Sequence, residues 1–205
     1  MAKVCGLASA DEVAMVLAAG ADLVGFLHHP PSPRHCPDLA LARLAKDRSV
    51  LVAVAPDAAQ LLTLVAQARP AWVQPYVPVA ERAEALRRLR ALGVKVLLPW
   101  PDEPDQEPLE ADLYLWETSP RATGLLGGSG QGHAMGFPPP GPFLLGGGLR
   151  AAILGERLAA MPVGARLACL GFDAASRLEA ATGGKDPGLV ETYVDAAHAL
   201  ERSEP

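Results

Sequence analysis

The chain has 205 residues, half of them hydrophobic and a fifth charged, with a formal net charge of −5. That length can bury one sizeable core, and an acidic balance without a basic block argues against a nucleic-acid surface, leaving a small molecule as the expected partner. No uncharged run reaches the roughly 18 to 20 residues that a membrane span needs, so no membrane partner is expected.

Short apolar runs alternate with helix-period segments along most of the chain, the pattern of βα units feeding a parallel sheet. "AKVCGL" reads as a first strand. Ser9, with Glu12 three residues on, makes a capping box for a helix that Gly20 stops. "LVGFL" is a second strand; the loop "HHPPSPRHC" follows, then a helix over about 37–46 and a third strand, "SVLVAV". Asp57 caps a helix to about Arg69. "AWVQ" is a fourth strand, and 80–92 an amphipathic helix with Ala85, Leu86, Leu89 and Leu92 inward. "VKVLLPW" is a fifth strand, but "PDEPDQEPLEAD" holds too much proline and acid for a full helix. "LYLW" is a sixth strand, followed from Glu117 to Pro142 by a glycine- and proline-dominated stretch with room only for a very short helix. "PFLLGGG", a helix over 149–160, "ARLACLGFD" and a helix over 189–200 complete the series.

The series reaches an eighth strand, the number that closes a (β/α)8 TIM barrel, an α/β fold. Residues 1–205 are expected to form a single domain of this kind, with degenerate helices after strands 5 and 6. A doubly wound open sheet fits less well, because "CGLASA" lacks a nucleotide fingerprint. In a barrel the site lies at the C-terminal strand ends, which here carry Cys5, His28, His29, Arg34, Gln74, Tyr76, Trp100, Glu117, Gly146 to Gly148, Asp173 and Ser176. A glycine run after strand seven is where such barrels commonly bind phosphate through backbone N–H groups.

Three widely spaced cysteines, Cys5, Cys36 and Cys169, fit neither a disulfide framework nor a paired zinc motif and read as free thiols. His28, His29, His35 and Cys36 crowd one loop, but their spacing matches no common zinc pattern, so no metal is expected. "TGLLGGSGQGHAMGFPPPGP" lacks the Lys-Ser/Thr pair of a phosphate loop and reads as a lid over the barrel mouth. Acidic residues at Asp11 and Glu12 cut short any secretory signal, which makes the cytoplasm the expected compartment.

"KVCGL", "DLVGFLHHPPSPR", "LWET" followed by "GGSG", "LLGGGL", and "FDAASRLE" followed by "GGKD", in this order, resemble phosphoribosylanthranilate isomerase of tryptophan biosynthesis. The resemblance covers nearly the whole chain. It implies a cofactor-free and metal-free Amadori rearrangement of N-(5-phosphoribosyl)anthranilate, a phosphorylated small molecule, by a monomer or homodimer. It assigns Cys5 as the general base for the C2′ proton and Glu117, standing where the family has an aspartate, as the acid that protonates the ring oxygen. It assigns Arg34 to the anthranilate carboxylate, and Gly147, Gly148 and Ser176 to the phosphate. The chain departs from the family at three places. The acid is one methylene longer, "VQPYV" replaces a strand-four Q-L-H-G, and Arg177 replaces a glycine of the strand-eight turn, where it either obstructs the phosphate or contacts it. A non-catalytic or repurposed homologue binding a phosphorylated or aromatic ligand is the alternative reading.

Overall fold

The computed structural model describes residues 1–104, 106–118 and 134–201. Eight parallel strands close into a barrel in sequence order: β1 (Ala2–Cys5), β2 (Leu23–His28), β3 (Ser49–Val54), β4 (Trp72–Tyr76), β5 (Lys95–Pro101), β6 (Leu113–Glu117), β7 (Phe143–Leu145) and β8 (Cys169–Ala174). Strand alternation sorts the side chains into two layers. Leu23, Val50, Val52, Leu97, Leu113, Leu115 and Leu144 fill the barrel interior. Val4, Val24, Phe26, Val73, Leu98, Trp116 and Phe172 point outward into the larger core beneath the helices.

The helices are α1 (Ala10–Ala18), α2 (Ala58–Ala68), α3 (Val79–Ala91), α4 (Leu154–Ala160), α5 (Val163–Arg166) and α6 (Pro187–Glu201). Both expected caps form: Ser9 Oγ accepts from the Glu12 N–H at 3.2 Å, and Asp57 Oδ1 from the Gln60 N–H at 2.8 Å. The return arm of the capping box is displaced, because Glu12 accepts from the N–H groups of Ala8 and Lys185, tying α1 to the turn after β8.

Four expected elements differ in detail. The helix after β2 is a 3₁₀ segment, Leu39–Arg48, kinked at Lys46. Its buried residues, Leu39, Ala42 and Ala45, recur every third position, so a three-residue turn aligns them on the core where a 3.6-residue turn would rotate them away. Leu92 is 59% exposed instead of inward, since it caps α3 at the point where Gly93 turns the chain. The helix expected over 149–160 begins with a 3₁₀ turn at Ala151–Ile153. Strand β8 starts at Cys169, later than expected, because α5 takes up the residues after Pro162. Between β5 and β6 no helix occurs among the described residues, as the proline content of that segment requires.

Candidate active site

The C-terminal mouth of the barrel is lined by inward side chains from β1, β4, β6 and β8. Lys3 and Cys5 alternate inward along β1 with Val4 facing the helices, and Gln74 and Tyr76 do the same on β4 around Pro75. Two adjoining cavities open here. One, of about 600 Å³, is lined by residues that include Cys5, His29, Arg34, Gln74, Tyr76 and Glu117. The other, of about 440 Å³, is lined by Gly146 to Leu149, Thr118, Ser176 and Arg177. Glu117, Asp173 and Ala175 line both, so the two form one continuous cleft.

Cys5 sits in space that glycine provides. A Cβ on Gly25, its register partner on β2, would lie 2.7 Å from the Cys5 sulfur. Burial pushes the thiol above its ordinary value, opposed by the nearby Lys3 ammonium. Lys3 is fully buried and gives Asp173 Oδ1 a 2.6 Å hydrogen bond. Burial alone would lower the lysine, but the charges of Asp173 and Cys5 outweigh it and hold it raised.

Glu117 is 5% exposed and ends β6 pointing into the barrel, in phase with Leu113 and Leu115. Burial pushes its carboxyl from the ordinary 4.5 up to about 8, against the lowering effect of a hydrogen bond from Tyr76. The neighbouring Trp116 faces away from the mouth, fully buried edge-on to Phe143 at 5.3 Å.

Arg34 reaches the mouth by lying across Gly6, where an added Cβ would stand 3.0 Å from its Cδ. Gly6 also adopts φ +84°, which favours glycine. Arg34 Nε and Nη2 donate to the two oxygens of Glu179 at 2.6 and 3.4 Å, and Lys185 Nζ reaches the same carboxylate at 3.1 Å. Burial would raise Glu179; the arginine and lysine hold it below its ordinary value instead. In the adjoining cavity Gly147 and Gly148 have φ of +97° and +64°, so this turn needs glycine. Ser176 is half-buried there, and Arg177 stands exposed at the rim.

The expected site residues Cys5, Glu117, Arg34, Gly147, Gly148, Ser176 and Arg177 therefore meet in one cleft. Trp100 does not join them. In β5 it shares the outward phase of Val96 and Leu98, and its indole N–H donates to the Phe137 carbonyl at 2.9 Å. His28 packs edge-on against His35, while His29 lines the cleft. Much of the expected lid, 123–133, lies outside the described residues. Lys3 was absent from the expected set, although strand alternation from Cys5 places it inward; Gln74, Tyr76 and Asp173 were marked only by strand-end position.

No protein-family model matches the chain. The N-(5'-phosphoribosyl)anthranilate isomerase of Azorhizobium caulinodans is 34% identical, the match covering 97% of this chain and 92% of that one. The chain belongs to the phosphoribosylanthranilate isomerase family. A second member, from Rhodopseudomonas palustris, is 33% identical over 96% of this chain and 97% of its own. The family's solved structures share the fold: TrpF from Jonesia denitrificans superposes with a TM-score of 0.75 at 24% identity, covering 99% of this chain and 98% of that one. The phosphoribosyl anthranilate isomerase of Thermus thermophilus does so at 0.73 and 23%, covering 97% and 98%. No helix among the described residues is long and apolar enough to cross a membrane.

Proposed function

We propose that this chain catalyses the Amadori rearrangement of N-(5-phosphoribosyl)anthranilate to 1-(2-carboxyphenylamino)-1-deoxyribulose 5-phosphate, the isomerisation after which its relatives are named. The observation that carries the reading is the continuous cleft. Arg34 stands at one end, the glycine turn of 146–148 borders the other, and Cys5 and Glu117 line the space between. A substrate with a carboxylate at one end and a phosphate at the other suits such a cleft, with its sugar in the middle.

Chemically, the raised carboxyl of Glu117 keeps its proton at neutral pH and so can act as an acid. The proton goes to the furanose ring oxygen, the C1′–O bond breaks, and the nitrogen lone pair forms the C1′=N iminium. Cys5, as thiolate, takes the C2′ proton, and the C–H electrons become the C1′=C2′ bond of an enolamine. This tautomerises to the ketone, and proton exchange restores the thiolate and the acid. Lys3 opposes the rise that burial imposes on the Cys5 thiol and so favours the thiolate fraction that acts as the base. Arg34, held by Glu179, offers the guanidinium fork that suits a planar carboxylate. A cytoplasmic monomer or homodimer without cofactor fits this reading; a neighbouring structure from Thermotoga maritima is of monomers generated from a dimeric isomerase.

The test is steady-state conversion of N-(5-phosphoribosyl)anthranilate by the purified protein, followed through its anthranilate chromophore. Cys5→Ser and Glu117→Gln should each lower kcat by about a hundredfold or more while a reduced product analogue still binds within about threefold. Binding of that analogue without conversion by the unmodified protein would support the non-catalytic alternative instead.

A further inference from the structure

The acid candidate has a companion that the reaction as drawn does not use. Tyr76 Oη lies 2.9 Å from both carboxylate oxygens of Glu117, and Gln74 Nε2 donates to the same phenolic oxygen at 2.9 Å. Because the amide donates to it, the single phenolic proton is left for Glu117. The strand between offers nothing equivalent. Pro99 and Pro101 of β5 pair with Leu115 and Glu117, and proline brings neither an N–H nor a polar side chain. Tyr76 therefore reaches past β5 to a carboxyl that is one methylene longer than an aspartate's.

The arrangement also leaves Gln74 Oε1 buried and without a hydrogen-bond partner among the described residues. An unpaired buried acceptor is destabilising, a cost that a phenylalanine at 76 and an apolar residue at 74 would avoid. The chain keeps both polar groups, and the contact they make is to Glu117.

We propose that Tyr76 is the positioning residue for Glu117: held by Gln74, its hydroxyl seats the longer carboxyl in the mouth and stabilises the carboxylate that remains once the proton has left. The phenol proton serves one carboxylate oxygen and leaves the other to carry the transferable proton. Glu117 is also faced by Lys3 and Cys5 from β1 and Asp173 from β8, with Arg34 and His29 at the rim. Among the residues that bear on the carboxyl, Tyr76 makes the direct hydrogen bond that favours its charged form, so its removal should raise the carboxyl further above about 8.

The inference rests on the reading of Glu117 as the acid, and its test combines kinetics with a measurement independent of turnover. Tyr76→Phe removes one oxygen. It should lower kcat about ten- to a hundredfold with KM changed less than about threefold, the loss expected for a charge-assisted hydrogen bond. Carboxyl ¹³C resonances of glutamate-labelled protein, with Glu117 identified by its absence in Glu117→Gln, should show this group titrating at higher pH in Tyr76→Phe. In Glu117→Asp the carboxyl no longer reaches the phenol, so adding Tyr76→Phe should cost less than about twofold more. An unchanged Glu117 titration in Tyr76→Phe overturns the proposal, whether or not activity falls. Should the unmodified protein not convert the substrate, the functional reading fails, while the titration still decides whether Tyr76 governs Glu117.

Discussion

At the scale of single residues, the site depends on two glycines as much as on its reactive groups. Gly25 has no unusual backbone requirement, yet its missing Cβ is what leaves room for the Cys5 sulfur on the neighbouring strand. The Gly25→Ala variant should retain the barrel, because the methyl's closest clash is with the end of a side chain, the Cys5 sulfur, while the neighbouring backbone stands 3.2 Å away. It should push the thiol off its position and lower kcat about tenfold or more, with circular dichroism little changed. Near-normal kcat in that variant would mean that the thiol's position does not matter, which counts against Cys5 as the base. Gly6 acts differently, letting Arg34 cross the end of β1. The motif "KVCGL" thus holds a base candidate, its charged neighbour and the space for Arg34, the candidate carboxylate-binding arginine, within consecutive residues.

At the scale of elements, the seam that closes the barrel is the one where β1 meets β8. The Met1 carbonyl accepts from the Phe172 N–H at 3.0 Å, and Ala2 donates to Asp22, which also contacts His198 of α6 at 2.8 Å. An added Cβ at Gly171 would overlap the Met1 backbone itself, and backbone cannot swing aside as a side-chain end can. Gly171→Ala should therefore destabilise the protein by about 3 kcal/mol in urea unfolding, more than Gly25→Ala, because it opens the ladder between the first and last strands. A loss below about 1 kcal/mol would show that the seam relaxes. The same glycine accompanies the register shift between β7 and β8. Sequence patterning read "ARLACLGFD" as one long strand because apolar spacing alone does not register the proline that turns the chain at Pro162. The order of the strands was legible throughout, since each is a short apolar run, and the caps at Ser9 and Asp57 mark two of the helices between them. Boundaries were not, where a 3₁₀ turn or a short helix stands in for the expected element. Trp100 was misplaced for a related reason: being at a strand end says nothing about phase, and the phase of β5 is set by Leu97.

At the scale of the whole molecule, the mouth places a buried carboxyl, a thiol, a lysine and an aspartate where a hydrophobic core would stabilise the fold better. That Cys5, Arg34, Glu117, the glycine turn and Ser176 line the cleft could be read from motif order. That Tyr76 and Gln74 converge on Glu117 could not, because their contact crosses an intervening strand and no sequence spacing encodes it. The stability cost of the acid follows from linkage. The carboxyl of Glu117 titrates at about 8 in the folded protein and near its ordinary 4.5 when unfolded, so between those values the folded state binds more protons. Its contribution to stability is fully present below pH 4.5, declines as pH rises, and is lost above about 8. Ionising it in place amounts to a few kcal/mol. Glutamine at 117 has no charge to bury, so Glu117→Gln and the unmodified protein should melt at similar temperatures near pH 5. At pH 9 the variant should melt higher by roughly 5–10 °C, given about 2–4 °C per kcal/mol for a chain of this size. Parallel melting curves across that range would mean that Glu117 is already ionised at neutral pH, and with it the supply of the ring-opening proton would be lost.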